Sequence, residues 1–410
     1  MPDFHDHEPL LLDEVTFKVD RAATEAERPS AAKVTLPEPM LRYACNQQGC
    51  CCGGWRIPFR PDDLVRLRAH LDEADAEKLV ADVQMKIDFG PDGERVVKEV
   101  YLTKDDGDCR FLGSDRKACG VHAKHGVKAL PNLCVDFPVA TYESPGGVDF
   151  YFDPVCPSVL DQIAESDAPL TIAEVRAPYG DDAFALRSAH VRGKPVARLG
   201  AIRLSGEEID LIRRRVVSGL ADASRPVWQH LLAIDSAYAE VASGRPVESF
   251  DLRYDHEPAA YLRFLGDCLR AHGVGTLARV WESYRRFVFA IPTGPGSAAW
   301  RELDKHLRDW QPAYEKYLAP SEDALRPLHL RFLAHRHFAP FLSIQGELKY
   351  AAGAIVHTFA TSLRYAAALG AVLRRPVDRE VMKAALGAAE YFYRSLEIPP
   401  DSLPWFGIGD

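Results

Sequence analysis

The sequence lacks the features that mark exported, membrane and nucleic-acid-binding proteins. Residues 1–11 have no basic region followed by an apolar stretch and a cleavage site, so we expect no secretory signal. The longest apolar stretch, Tyr350 to Ala360, contains His357 and is shorter than the ~20 residues that span a bilayer. With 50 Lys and Arg against 59 Asp and Glu, the net charge is -9, which disfavours binding to nucleic acids or anionic membranes. We therefore expect a cytoplasmic protein that binds neither.

Two cofactor motifs are also missing. A dinucleotide-type fold would show a strand, a glycine-rich turn and a helix, but the glycines at 146–147 and 294–296 do not lie in that pattern. The Cys-x3-Cys-x2-Cys motif of common radical enzymes is absent, and no repeat of fixed period is found. If the chain uses S-adenosylmethionine, we expect it to do so without the usual nucleotide-binding fold.

Cysteine is scarce outside one segment of the chain. Of nine cysteines, only Cys268 lies outside the 112 residues from Cys45 to Cys156. A chain of 410 residues can bury a core without disulfides. The cytosol keeps thiols reduced, so clustered cysteines there more often bind metal or react, and a secreted disulfide protein is the less favoured alternative. The candidate metal ligands are Cys45, Cys50, Cys51, Cys52, Cys109, Cys119, Cys134 and Cys156.

The spacing of these cysteines leaves the type of metal open. Neighbouring side chains alternate in an extended segment, so Cys50, Cys51 and Cys52 cannot all point one way. At least one of them is expected to serve a second site, to pack or to react. Four thiolates suit either tetrahedral zinc or an iron–sulfur cluster, and eight could form two sites or one. His122 and His125 could add imidazole ligands, but we favour solvated or packed histidines because enough thiolates are present.

The pattern along the chain predicts an α+β fold, with a small cysteine-rich metal-binding module followed by a mainly α-helical domain. Pro61 marks a helix start, and Arg95 to Thr103 alternates as a strand does. Short strand-like pieces, expected to form antiparallel ribbons, are Arg110 to Leu112, Cys119 to His122 and Val148 to Phe152. Helical periods cover Glu207 to Leu220, Val227 to Val241, Ala259 to Ala271, Leu277 to Phe289, Ser321 to His337, Gly346 to Leu369 and Asp378 to Leu396.

These patterns suggest three parts of the chain. Residues 1–40 form an N-terminal extension that would be a tail or an edge strand, residues 41–160 the cysteine-cluster module, and residues 161–410 the helical domain. In the helical domain, Tyr350 and His357 share a helix face, which could line a pocket but is expected to face the core. The arginines at 213–215 and 285–286 are expected on solvated faces, and no catalytic residue is assigned.

Five blocks of sequence resemble a known family. The most specific is residues 119–138, which read CGVHAKHGVKALPNLCVDFP. The others are Cys45; Cys51 and Cys52 with Trp55 and Ile57; Cys109 with Phe111 and Leu112; and Cys156 with Pro157. Their order resembles that of the cysteine-cluster family described as a zinc- or iron-chelating domain, which includes the flagellin lysine N-methylases. The resemblance covers residues 41–160 and, more weakly, the helical remainder.

This resemblance implies a cysteine-bound metal centre, with a 4Fe-4S cluster favoured over zinc. In the named members it also implies methyl transfer from S-adenosylmethionine to lysines of a protein substrate. Two departures from the family pattern bear on the substrate more than on the cluster: Cys50 is an extra cysteine, and Val135 and Val139 replace basic residues that commonly flank the last Phe-Pro. The alternative is a non-enzymatic zinc- or iron-chelating module with a structural or electron-transfer role.

Overall fold

The structure is a computed structural model. It describes residues 33–45, 58–59, 61–80, 84–89, 95–101, 109–114, 118–176, 197–199, 202–255, 259, 297–338 and 348–395. The chain divides into two compact units. The small unit comprises residues 1–30, 47–137 and 180–190, and the large unit comprises residues 31–46, 138–179 and 191–410. The three parts expected from the sequence stay predictions.

The small unit contains short helices and an antiparallel sheet. Its strands are β2 (Pro58–Phe59), β3 (Gln84–Phe89) and β4 (Arg95–Tyr101), in the order β2-β4-β3. Its helices are α1 (Pro61–His70), α2 (Glu73–Val80), α3 (Gly120–His125) and α4 (Asn132–Asp136), with a 3-10 turn at Val127–Ala129. The helix expected at Pro61 and the strand expected from Arg95 are both confirmed.

One expected strand in this unit, Cys119 to His122, is wrong. Cys119 pairs with Leu112 in a single antiparallel bridge, but the residues after it form α3 rather than a strand. The Cys119 carbonyl accepts the amide hydrogen of Ala123 at 2.9 Å, which closes the first helical turn. Gly126, with a φ of 77° in the left-handed region, ends the helix. The segment was too short for its period to distinguish a helix from a strand.

The large unit is built on a mixed sheet of order β5-β6-β1-β7. Its strands are β1 (Lys33–Pro37), β5 (Val139–Ser144), β6 (Gly147–Phe152) and β7 (Ile172–Arg176). β1 runs parallel to β6 and antiparallel to β7, so it lies inside the sheet and not at its edge. The expectation of a tail or an edge strand is therefore wrong for residues 33–37. Val34 and Leu36 of this strand are buried. Residues 1–32 lie outside the described part of the chain.

The large unit also contains seven described helices of at least eight residues, which confirm the α+β class. They are α5 (Pro157–Ala164), α6 (Gly206–Gly219), α7 (Val227–Ala242), α8 (Ala298–Arg308), α9 (Glu322–Phe338), α10 (Leu348–Leu373) and α11 (Arg379–Ser395), with a two-stranded ribbon of β8 (Ala197–Leu199) and β9 (Ile202–Leu204). The helices expected within 207–241 and 321–396 are confirmed to within a few residues at each end. Those expected at 259–289 lie, apart from Ala259, outside the described residues. None of the helices that the structure describes is long and apolar enough to cross a membrane.

Arg213 is not on a solvated face, which corrects the expectation for its cluster. Its side chain is 3% exposed and makes an ion pair of 2.5 Å with Asp149 on β6. Its guanidinium also lies over the ring of Phe338. Arg213 follows Ile212 on the apolar face of α6, so the helix carries it into the core. His357 is fully buried in α10, which agrees with a core-facing position, while residues 285–286 lie outside the described part.

Candidate metal-binding cysteines

The structure describes five of the eight candidate ligands: Cys45, Cys109, Cys119, Cys134 and Cys156. No disulfide joins any two of these five. The triple block at 50–52 and the excluded Cys268 lie outside the described residues.

A tight turn links Cys109 to Cys119 in the small unit. The carbonyl of Cys109 accepts the amide hydrogen of Leu112 at 3.0 Å, and Leu112 pairs with Cys119 in the antiparallel bridge. The amide of Gly120 donates to the carbonyl of Phe111 at 2.7 Å, which fixes the second side of the ribbon. These hydrogen bonds place residues 109–112 beside Cys119 and Gly120.

Cys119 and Cys134 share one apolar core. Both are partly buried, and both pack against the same cluster of side chains from β2, α1, α3, α4 and the turn between α3 and α4. That cluster comprises Phe59, Leu64, Leu67, Val121, Ala129, Leu130 and Val135. Cys119 directly precedes α3, and Cys134 lies within α4. Two cysteines fifteen residues apart in sequence thus flank one core while keeping part of their surface exposed.

The two candidate histidines have other environments. His122 is exposed, as expected for a solvated residue. His125 has its Nε2 3.9 Å from Asp75 Oδ2, and Lys124 Nζ lies 2.9 Å from the same carboxylate. Lys124 also pairs with Asp72, and this hydrogen bond lowers the pKa of Asp72. His125 therefore lies beside the ion pairs of Lys124 with Asp72 and Asp75, which join α3 to the start of α2.

Cys156 is placed by the core of the large unit. It is buried directly before α5, and its carbonyl accepts the amide hydrogen of Val159 at 3.0 Å. Its Sγ lies 3.7 Å from Tyr43 Oη, and the Tyr43 ring packs on Phe152 with centroids 5.2 Å apart. Cys45, two residues after Tyr43, is exposed.

The donors that the structure describes fit a metal centre by chemical type but do not complete one. Among the described residues, no group of three or more Cys, His, Asp or Glu is arranged to hold a metal ion. The thiols of Cys109, Cys119 and Cys134 are soft donors of the kind that zinc and iron–sulfur clusters take, and all three are partly shielded from solvent. Because these three thiols do not form such a group, a four-thiolate site in the small unit would need at least two of the cysteines at 50–52.

Two buried side chains of α9 contact β6, the strand that leads to Cys156. Arg336 Nη1 donates to Tyr151 Oη at 2.5 Å, and its Nε lies 2.9 Å from Glu390 Oε1 on α11. His335 Nε2 lies 2.5 Å from the carbonyl oxygen of Phe152. Burial lowers the pKa of His335 to about 4, so its imidazole is neutral near pH 7. The helical spacing of the sequence predicted that this part of α9 faces the core. It did not predict which strand α9 contacts.

Sequence reasoning missed an open cleft in the large unit. It has a volume of about 820 Å³ and lies between the C-terminal half of α6 and the segment that follows α7. Its lining comprises Arg214, Arg215, Ser218, Gly219, Glu248, Ser249, Asp251, Leu252 and Tyr254. These residues form no sequence motif, so only the fold brings them together.

Comparison with known proteins finds no counterpart: no family model, curated protein or solved structure matches this chain.

Proposed function

We propose that this is a cytoplasmic metalloprotein with a cysteine-rich module that binds a 4Fe-4S cluster, and that it transfers methyl groups to lysines of a protein substrate. The proposal starts from the resemblance to the cysteine-cluster family that includes the flagellin lysine N-methylases. One observation carries the metal-binding part: Cys119 and Cys134, which both lie in the most specific block, pack on the same small core and remain partly exposed.

The proposed ligand set follows from which cysteines belong to the same compact unit. Cys109, Cys119 and Cys134 belong to the small unit, as does the triple block at 50–52. Four thiolates drawn from these six would hold a 4Fe-4S cluster, which supplies electron transfer or Lewis acidity when bound. The apolar core beside Cys119 and Cys134 would shield the sulfurs from water, one of the factors that set cluster potentials. Cys45 and Cys156 remain proposed ligands of the large unit.

Anaerobic purification followed by iron, sulfide and zinc analysis tests the metal assignment. We expect a brown protein with broad visible absorption and iron and sulfide in about equal amounts. A colourless protein with stoichiometric zinc and no sulfide would contradict the cluster. Oxidised cysteines in the metal-free chain, measured by thiol titration, would contradict metal binding altogether.

The methyl-transfer part needs a separate test. The intact protein is titrated with S-adenosylmethionine, and transfer of labelled methyl groups to a lysine-rich protein is then followed. We expect saturable binding of the donor and methylated lysines in the acceptor.

The packing of Cys119 and Cys134 on one core also suits a second function, a structural or electron-transfer metal module. A metal-loaded protein that binds no methyl donor would favour this second function over the first.

A further inference from the structure

A ring of contacts around His230 joins three parts of the chain beside the cleft. His230 is fully buried near the start of α7. Its Nε2 lies 3.0 Å from the carbonyl oxygen of Asp222, and its Nδ1 lies 3.2 Å from Tyr254 Oη. Arg225 closes the ring, because its guanidinium lies over the Tyr254 ring, 4.2 Å from the centroid, and its Nε lies 2.9 Å from Asp222 Oδ2. The loop before α7 and the segment after it are therefore both held to this helix at His230.

Tyr254 belongs to a part-exposed segment that forms one side of the cleft. This stretch, residues 251–255, is called the Tyr254 segment, and it follows Phe250, which is 1% exposed. Leu252 and Tyr254 line the cleft and lie against Gly219 of α6, where an added Cβ would be 2.2 Å from Leu252 Cδ1 and 3.1 Å from Tyr254 Oη. Movement of the segment away from Gly219 would therefore open the cleft on this side.

The hydrogen bonds of the ring suit a neutral imidazole. The carbonyl oxygen of Asp222 can only accept, so Nε2 of His230 carries a hydrogen. In the neutral imidazole Nδ1 is then an acceptor, and the Tyr254 hydroxyl donates to it. A protonated His230 carries a second hydrogen on Nδ1, so the hydroxyl would have to turn its own hydrogen away. Protonation therefore removes the hydrogen bond that Tyr254 donates.

The surroundings of His230 disfavour its charged form. Burial is the largest influence and lowers the pKa of His230, the hydrogen bond and charge of Asp222 raise it in part, and the charge of Arg225 lowers it. A charged His230 in the closed ring would lie one tyrosine away from the Arg225 guanidinium. It would also be cut off from bulk water, because the residue is fully buried. The closed ring therefore favours a neutral His230.

The other charged groups beside the ring make no ion pair with His230 among the described residues. Arg326 of α9 donates to a carbonyl oxygen of the loop between α6 and α7 and pairs with Asp323. Asp251 of the Tyr254 segment accepts the amide hydrogen of the next residue at 3.0 Å. Neither of these carboxylates therefore offsets the cost of placing a charge on the imidazole.

We propose that the Tyr254 segment is a pH-sensitive strap that closes this cleft while His230 is neutral and is released from α6 and α7 when His230 is protonated. In the released form water reaches the imidazole, which then titrates near the ordinary histidine pKa of about 6.5. The released form therefore binds a proton that the closed form does not. As the pH falls below about 6.5, the ratio of released to closed molecules should rise by up to about tenfold per pH unit. The proposal concerns access to the cleft and does not depend on the proposed methyl transfer.

The methyl signals of Leu252 report the position of the segment, because its Cδ1 lies against Gly219. They are followed by NMR of the intact, methyl-labelled protein from pH 7.5 down to pH 5, together with the ring signals of His230. We expect the Leu252 signals to move below about pH 6.5 in step with protonation of His230. His230→Gln should leave them in place over the same range, because a glutamine amide can donate to Asp222 and accept from Tyr254 without titrating.

Two controls separate this release from other effects of acid. His306→Gln removes a part-exposed histidine of α8 and should leave the Leu252 titration unchanged. The methyl signals of Leu328 and Leu333 in α9 should not move with those of Leu252. Common movement of all three leucines would show general unfolding, and an equal titration in His230→Gln would show that another group acts; either result would overturn the proposal. A protonated His230 with the Leu252 signals still in place would overturn it as well.

Discussion

Tyr43 Oη and Cys156 Sγ lie 3.7 Å apart in the large unit, and the Tyr43 ring is held against Phe152. This contact joins the residues just before Cys45 to the turn that precedes α5. A thiolate can only accept a hydrogen bond, so Tyr43 must donate if Cys156 is a metal ligand.

Tyr43→Phe tests whether Cys156 is a metal ligand of the large unit. We expect the variant to keep the aromatic contact and to lower the reduction potential of a cluster held by Cys156, because hydrogen bonds to sulfur stabilise the more negative, reduced form. A redox titration followed by visible absorption measures this, with Tyr314→Phe as the control for loss of a phenol. An unchanged potential would remove Cys156 from the ligand set.

Cys134→Ser tests whether the metal binds in the small unit. Serine replaces the thiolate with a much weaker ligand in a segment that packs on the shared core with Cys119. We expect the loss of most of the iron and sulfide in the anaerobically purified protein.

Cys268→Ser is the matched control, since Cys268 lies far along the chain from the other cysteines. It should retain the metal in full. Equal metal content in the two variants would contradict the proposed ligand set.

The helices of the large unit could be predicted from the sequence because each long segment carries apolar residues at helical spacing and residues that mark where the helix begins and ends. In α6, Ser205 and Glu208 form a capping box, and Ile209, Ile212 and Val216 recur at helical spacing. Short segments lack this combination of capping residues and repeated apolar positions. Cys119 therefore read as the start of a strand, although the chain turns into α3 directly after it.

The residue types of the candidate site could be predicted from the sequence, but which of these residues lie together could not. Cysteine spacing indicated thiolate ligands, but which of them share a core depends on contacts between α1 and α4, which no local pattern encodes. Arg213 was misplaced for a similar reason, because its partner Asp149 lies 64 residues away on another element. The pair of Tyr254 and His230 also arises only from the fold.

Arg336→Met tests the buried ion pair between α9 and α11. The side chain of Glu390 is 3% exposed, and burial raises its pKa while the charge of Arg336 counters that rise. Loss of the arginine leaves a buried carboxyl without its cation and removes the donor to Tyr151. We expect the free energy of unfolding to fall by about 3–5 kcal/mol, as is typical when one partner of a buried pair is removed.

Denaturant titrations of the parent and of two variants measure this effect. The double variant Arg336→Met with Glu390→Met should recover part of the loss, because no buried charge is then left unpaired. A single variant as stable as the parent would show that the pair does not hold α9 to α11.

The buried histidines of α9 should make the large unit sensitive to acid. Burial lowers the pKa of His337 to about 3, with a further contribution from the Arg336 charge, and lowers that of His329 to about 3. In the unfolded chain both would titrate near 6.5. Between these limits the unfolded state binds protons that the folded state does not, so the free energy of unfolding decreases as the pH falls.

His337→Gln removes one histidine that binds a proton in the unfolded chain. It therefore changes how steeply the free energy of unfolding depends on pH. Between pH 6 and pH 4, the free energy of unfolding should fall less steeply than in the parent, by about 1.4 kcal/mol per pH unit once the unfolded histidine is fully protonated. Urea titrations at a series of pH values measure it, with His306→Gln as the control for loss of a part-exposed imidazole. Parallel pH curves for His337→Gln and the parent would mean that His337 is protonated in the folded protein, against its complete burial.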